Sequence, residues 1–339
     1  MNNDNLRRLL DQYKKAPGQF QATSYWSAYE KDILNIASNM DFDNLRSGKY
    51  PKLATFGFSD GVYNRRFSLW KRVLLKIFNI KERHTTPYSL QAADIQNMAY
   101  HYCNVVAESC HAKSLADISV STYGSPAGLF TENNHKYTVQ FLDYYLRYCF
   151  AQKHLSFKGD EILVELGSGS GYQVEVLKKL YPDMTILCFD LPAQVYLCQN
   201  YISGALGAEN VITTEQTLDW TDLSTVQKGK VHFLPNWMMP LLKDFEFDIF
   251  WNAASFGEME PSVVENYLDF IKGRAKWVYL LQMRHGQKMT GKAHVKKQIS
   301  LDDYKKMLQD HTLVEVQDAY TSVSRLGGDY FEAIWKKQD

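Results

Sequence analysis

The stretch Ile162-Leu163-Val164-Glu165-Leu166-Gly167-Ser168-Gly169-Ser170-Gly171 decides the fold. An apolar run typical of a buried strand carries one acid and opens directly into a glycine-rich turn, the place where a parallel α/β sheet takes a nucleotide-like ligand. Gly167 and Gly169 let a ligand approach the backbone with no Cβ in the way, and Gly171 opens a helix from Tyr172 to Leu180. The ligand-binding end of a sheet is therefore expected near residue 167.

Spacing separates the ligand classes. A dinucleotide fingerprint, G-x-G-x-x-G, would need its third glycine at Tyr172, whereas the glycines here stand at 167, 169 and 171 with Glu165 two positions before the first. That E-x-G-x-G-x-G form resembles the first motif of class I S-adenosylmethionine-dependent methyltransferases. The resemblance implies that the turn of Gly167, Ser168, Gly169 and Gly171 wraps the amino-acid end of S-adenosyl-L-methionine, with Glu165 beneath it near the ammonium group. A second apolar run, Thr185 to Phe189, ends in Asp190-Leu191-Pro192. An acid at the tip of a second strand can take both ribose hydroxyls, and Asp and Pro also stand at helix starts for capping reasons, so Asp190 can serve both ends.

A third marker is Phe247-Asp248-Ile249-Phe250-Trp251-Asn252-Ala253-Ala254-Ser255-Phe256-Gly257-Glu258-Met259, an apolar run that stops at Asn252 and passes into a short loop before a helix starting at Pro261. Together with the first two markers it resembles the sugar O-methyltransferase family of bacterial surface-polysaccharide loci. The similarity spans residues 120 to 335. In such enzymes the fourth strand ends beside the transferable methyl, which puts Asn252 at the cofactor and the following loop toward the acceptor. The segment Tyr123-Gly124-Ser125-Pro126 resembles the family's Gly-Asn-Pro element, with Ser125 in place of the Asn, and Tyr123 and Gly124 are carried over as cofactor neighbours. The resemblance implies a Rossmann-like, mostly parallel sheet of seven strands, an S-adenosyl-L-methionine cofactor and a sugar or glycan acceptor.

Composition bounds the alternatives. The 339 residues carry 38 basic and 38 acidic side chains, 45% hydrophobic residues and 22% charged ones, enough apolar material for a substantial core and no global charge to recruit nucleic acid. Five cysteines without paired spacing point to a reducing compartment. The start Met1-Asn2-Asn3-Asp4-Asn5 has no basic and apolar leader, so a cytoplasmic location is expected. No His, Cys, Asp and Glu set shows metal-ligand spacing, so no metal site is assigned, although carboxylates gathered in space could still bind Mg²⁺.

The pattern changes near residue 155. Before it, three- and four-residue apolar steps predict helices over Asn5–Lys15, Tyr25–Asn39, Phe67–Ile80, Leu90–Ser109 and His135–Gln152, with a Gly- and Pro-marked linker from Asp41 to Gly61. After it, short apolar runs alternate with helices: Ile162–Leu166, Ile186–Phe189, Val231–Leu234, Phe247–Trp251, Val278–Leu281, Val314–Val316 and Tyr330–Trp335, the last of which the methyltransferase resemblance implies to be antiparallel. Residues 1 to 155 are thus read as a helical cap that builds the acceptor pocket, and 156 to 339 as the cofactor domain. Ser121 to Gly128 breaks the helical pattern and is either pocket lining or a plain turn.

Three further readings concern particular groups. Arg65, Arg66, Lys71, Arg72, Lys76, Lys81 and Arg83 flank an apolar stripe in 65–83, which suits an anionic membrane or acidic glycan, or a core-packed helix with a solvated face. Adenine is expected beside Asn236, after a third core strand at Val231–Leu234, with Asn210 to Thr213 as the alternative strand. A sugar hydroxyl needs proton removal in the transition state, and the candidate bases are Glu258 and His285, then His135. Two other readings stay open: a methyltransferase of another small molecule with an oxygen or nitrogen acceptor, and a cofactor-binding partner protein without catalysis.

Overall fold

The computed structural model describes residues 4–56, 86–287, 289–291, 294–320 and 329–338. The basic stretch 65–83 and its expected helix Phe67–Ile80 lie outside the described residues. The N-terminal part holds α1 (Asp4–Tyr13), α2 (Ser24–Ser38) and α3 (Thr86–Ser109), a small hairpin of β1 (Phe130–Glu132) and β2 (His135–Tyr137), and α4 (Val139–Leu155). The helix expected from His135 begins only at Val139. Asn133 and Asn134 take the left-handed region (φ +48° and +66°), which turns the chain into a hairpin, and the Thr138 hydroxyl accepts from the Phe141 amide to cap α4.

From residue 162 the chain alternates: β3 (Ile162–Leu166), α5 (Tyr172–Leu180), β4 (Thr185–Asp190), α6 (Pro192–Leu206), β5 (Val211–Ile212), α7 (Thr214–Thr217), β6 (Val231–Pro235), β7 (Phe247–Ala253), α8 (Pro261–Asp269), β8 (Ala275–Met283), α9 (Leu301–Met307), β9 (His311–Asp318) and β10 (Tyr330–Lys337). They form one eight-stranded sheet in the order β5-β6-β4-β3-β7-β8-β10-β9. Seven strands were expected. The eighth is β5, because Val211–Ile212 and Val231–Pro235 both form and pair in parallel instead of being alternatives. All neighbours pair in parallel except β10, which runs antiparallel to both β8 and β9, as the family resemblance implies.

Alternation along β3 explains the two layers. Leu163 faces α4, α5 and α6 in a core that also holds Trp251, Tyr279 and Ile334, whereas Val164 and Leu166 face α8, α9 and Phe20. Leu6 and Leu9 of α1 and Ile33 of α2 belong to the first core, so the change of pattern at residue 155 is not a break in packing. The chain runs outward from β3 through β4 to β6, then returns to β7 on the other side of β3. That reversal opens a crevice outside the carboxyl ends of β3 and β7, where an open α/β sheet binds its ligands.

Candidate active site

Three loops meet at this crevice. The first is the glycine turn after β3. Gly167 sits at φ +82° with its amide donating to the Phe189 carbonyl (2.8 Å), and a Cβ there would stand 2.6 Å from Ser255 Oγ, so a side chain would collide with the loop that follows β7. Gly171 caps α5 at φ +79°, and a Cβ would meet Ile202 and Cys198 at 3.0–3.1 Å; this glycine lets α5 and α6 approach.

Beneath the turn lies Glu165, 3% exposed. Its Oε2 and the nearby Ser168 Oγ are buried without hydrogen-bond partners. Burial pushes the Glu165 carboxyl up to about 8, the neighbouring Asp190 adds to the rise, and Arg147 opposes it. Asp190 ends β4. Its Oδ2 accepts from the Gly169 amide (2.9 Å) and its Oδ1 from the Leu191 amide (2.8 Å), while burial raises it to about 6. Asp190 thus ties the glycine turn to the start of α6 and keeps lone pairs on both oxygens. Two buried carboxyls with an unpartnered oxygen and an unpartnered hydroxyl form an acceptor-rich pocket. An ammonium group at Glu165 and a diol at Asp190 fit that donor and acceptor balance.

Arg46 carries no sequence signal, standing alone in the linker after α2, yet it is fully buried behind the turn. Its guanidinium lies between the rings of Tyr172 and Tyr201, 3.5 and 3.7 Å from their centroids, and donates to the Ser170 carbonyl at 2.5 Å. Glu175 completes the brace, accepting from the Ser121 amide (2.6 Å), Lys179 (2.6 Å) and the Tyr201 hydroxyl (2.5 Å). The back of the glycine turn is thereby held by the helical part of the chain.

Tyr123 and Gly124 lie in this brace and not at the cofactor turn. The Tyr123 ring packs on Gly204, where a Cβ would meet it at 2.4 Å, three turns along α6 from Asp190; Gly124 accepts from the Arg46 amide at 2.7 Å. At about 1.5 Å rise per residue, Gly204 is roughly 18 Å along α6 from its start at Pro192. The segment supports Arg46 instead of lining the crevice.

Asn252 and Asn236 are also committed within the protein. The Asn252 amide donates to the Leu166 carbonyl (2.8 Å) and Ser255 Oγ (2.6 Å), and its Oδ1 accepts from Gln282 (2.6 Å) and the Phe256 amide (3.2 Å). Gln282 in turn accepts from the Gly257 amide at 3.0 Å. This pair of buried amides on β7 and β8 fixes the 254–258 loop, and within it Ala254 holds a left-handed φ of +58°. Asn236 donates to the Phe20 carbonyl (2.7 Å) and the Tyr267 hydroxyl (2.8 Å), anchoring the segment before α2, and only its buried Oδ1 remains unpartnered.

That network delivers Glu258 to the crevice. Its carbonyl accepts from Thr23 Oγ1 (3.0 Å), and Tyr25 and Trp26 of α2 lie beside its partly buried carboxylate. Burial raises the carboxyl to about 8, with Asp190 adding to the rise and the two aromatic residues opposing it. Of the other candidate bases, His285 is exposed on the loop after β8, and His135 sits on β2 with its ring nitrogen 3.1 Å from Ser119 Oγ. Beside Trp26 a small, mainly apolar cleft of about 10 Å³ runs between Leu10, Ile33 and Leu34 on one side and Leu191, Pro192 and Gln194 on the other. Among the described residues no cluster of His, Cys, Asp and Glu could hold a metal ion, and no helix is long and apolar enough to cross a membrane.

No family model matches the chain, and no curated protein matches it. Among solved structures, it is similar to the pyocyanin biosynthetic protein PhzM (11% identity, 56% of this chain, 57% of that chain, TM-score 0.37). It is similar also to a TehB-like SAM-dependent methyltransferase from Corynebacterium glutamicum (12%, 58% and 87%, 0.36). A third is the magnesium protoporphyrin IX methyltransferase ChlM from Synechocystis with bound SAH (11%, 59% and 83%, 0.37). The chain spans just over half the length of PhzM. At such overlaps the roles of the residues rest on the geometry of the crevice itself.

Proposed function

We propose that the chain is an S-adenosylmethionine-dependent O-methyltransferase, acting in the cytoplasm on a sugar hydroxyl of a bacterial surface glycan or its precursor. The observation that carries this reading is the pairing, across one switch-point crevice, of an acceptor-rich pocket (Glu165, Ser168, Asp190) with a second carboxylate, Glu258, gripped by the helical part of the chain. Glu165 would take the cofactor's ammonium group, the glycine turn its carboxylate and Asp190 its ribose hydroxyls, with Leu191 against the base. When bound, the cofactor supplies an electrophilic methyl group on a positively charged sulfur. The chain's own part is to hold an acceptor oxygen in line and to take its proton. Glu258 suits that task better than His285, because a carboxyl raised to about 8 by burial is a stronger base than a solvated one and its backbone is held by Thr23, whereas His285 is exposed. Residues 1 to 155 then form the cap, with α2 as the wall next to the acceptor.

A second reading is a methyltransferase of another small molecule with an oxygen or nitrogen acceptor; the apolar side chains around Trp26 would suit one with an aromatic or aliphatic part. One experiment separates the readings. Calorimetry with S-adenosylhomocysteine and with NAD reports the cofactor, and labelled methyl transfer into surface-glycan extracts or into small phenols and amines reports the acceptor. Binding of NAD in preference to S-adenosylhomocysteine would sink the cofactor assignment, and transfer only into the small molecules would replace the sugar.

A further inference from the structure

We propose that Arg46, enclosed by the segment 121–128, is a positioning residue for the cofactor turn: it fixes the peptide between Ser170 and Gly171, so that cofactor affinity and closure of that segment on Arg46 rise and fall together. The proposal rests on the reading of the glycine turn as the S-adenosylmethionine site.

One peptide plane carries the argument. The Ser170 carbonyl accepts from Arg46 Nη2 at 2.5 Å, and the Gly171 amide, at the other end of the same planar unit, donates to the Ser168 carbonyl at 2.9 Å. Gly171 stands at φ +79°, and with a glycine on that side the plane can turn unless both of its ends are bonded. On the ligand side the Gly169 amide is held by Asp190 (2.9 Å). The turn is therefore fastened at its front by Asp190 and at its back by Arg46. Without the guanidinium, the carbonyl of the buried Ser170 loses its charged donor, and the plane that orients the neighbouring Ser168 and Gly169 is released.

A buried guanidinium stays in place only where rings, carbonyls and acids replace its water. Tyr172 and Tyr201 enclose Arg46 at 3.5 and 3.7 Å, and the Tyr201 hydroxyl donates at 2.5 Å to Glu175, itself without exposed surface. The segment 121–128 completes the compartment from the other side. Gly124 accepts from the Arg46 amide (2.7 Å), and the Ala127 amide donates to the Arg46 carbonyl (3.0 Å). Ser125 Oγ donates to the Asp43 carbonyl (2.7 Å), and the Ser121 amide donates to Glu175 (2.6 Å). One short segment is thus bonded both to the arginine and to the acid across the tyrosine from it. None of these bonds lies on the ligand side of the turn, so their effect on the cofactor goes through the Ser170–Gly171 plane. Linkage makes the effect mutual: if the turn takes its ligand only with that plane held, the ligand must stabilise the closed segment by the same factor.

Calorimetry with S-adenosylhomocysteine on the full chain tests the proposal. In Arg46→Met, which keeps the length and loses the donor, Kd should rise about 10- to 100-fold, as for a lost hydrogen bond to a charged group. In Arg46→Ala, added methylguanidinium should recover much of the lost affinity by entering the space between the two tyrosine rings. Packing alone would lower the melting temperature without moving Kd and would not respond to methylguanidinium. A third measurement needs no variant and stands even if neither folds: in the wild-type chain, saturation with S-adenosylhomocysteine should slow hydrogen exchange at the Ala127 amide by about tenfold or more. Unchanged Kd in the folded variants, or unchanged exchange at Ala127, overturns the proposal. A wild-type chain without affinity for S-adenosylhomocysteine overturns the cofactor reading itself, whereas affinity that survives Arg46→Met overturns the positioning role alone.

Discussion

The crevice has two sides built in opposite ways. The cofactor side comes from contiguous sequence: a strand, a turn and a helix from Ile162 to Leu180, and a strand end at Asp190 only 25 positions after Glu165. The acceptor side joins Thr23 and Ser24 to Glu258 and Glu260 across more than 230 residues of chain. A local motif announces itself because each residue must serve the turn it belongs to. A distant pairing leaves no local trace, since Thr, Ser and Glu at those positions read as ordinary helix and loop residues until the fold brings them together.

The largest effect should come from closing the local side. Gly169→Arg puts a long side chain into the turn whose amide meets Asp190, and binding of S-adenosylhomocysteine should become undetectable by calorimetry while the far-ultraviolet circular dichroism stays that of the parent. Retained affinity would mean that the ligand does not cross the glycine turn. On the distant side, Glu258→Gln should lower turnover by roughly 10² to 10⁴-fold with cofactor affinity nearly intact, the mark of a group that acts on the acceptor in the transition state. Near-full turnover would return the role of base to His285 or His135.

The same contrast explains what the sequence made legible. Seven of the eight strands and the placement of Glu165, Gly167 and Asp190 at one sheet end follow from apolar runs and glycine spacing, which depend on near neighbours; the antiparallel β10 follows from the family resemblance alone. The readings that moved were those in which a polar side chain was assigned by position alone. Asn252 and Asn236 stand at strand ends as expected, but their amides are taken by Leu166, Gln282, Phe20 and Tyr267, and a buried amide is worth most when every group is paired. Tyr123 and Gly124 were carried over by motif, and they pack on α6 and Arg46 because Gly204 leaves room for the ring. Arg46 itself could not have been found, since its value lies in two tyrosines more than 120 residues away.

Smaller effects sharpen the cofactor side. Asp190→Ala should weaken S-adenosylhomocysteine binding by roughly 1.5 to 3 kcal/mol, as for hydrogen bonds to a charged group, or about 10- to 100-fold in Kd. Equal loss in the binding of adenosine alone, and none in that of methionine, would assign the effect to the ribose. The buried carboxyls should also write themselves into stability. Glu165, Glu258 and Glu332 are raised to about 8 in the folded chain, against an unfolded value near 4.3. The stability they allow is therefore full below the unfolded value and is lost as pH rises through 8. The melting temperature of the protein alone should fall between pH 6 and pH 9, less steeply in Glu165→Gln. An equal slope in that variant would show that Glu165 is not a source of the loss.

The smallest expected effect tests the distant side by exclusion. His285 follows β8 on the loop that also holds Arg284, whose amide bonds the Asp329 carbonyl (2.7 Å) and whose guanidinium meets Asp318 (2.6 Å). These contacts fasten the loop to the β9 and β10 edge, while the grip on Glu258 comes from α2. An exposed ring without a part in that grip should tolerate truncation, and His285→Ala should change both turnover and S-adenosylhomocysteine affinity by no more than about twofold, the range of a surface substitution. The pH–rate profile decides between the two bases independently of magnitude. If the acid limb follows Glu258, it should persist unchanged in His285→Ala and disappear in Glu258→Gln. Loss of the limb in His285→Ala would move the base to the β8 loop and leave the contacts of α2 with Glu258 as packing alone.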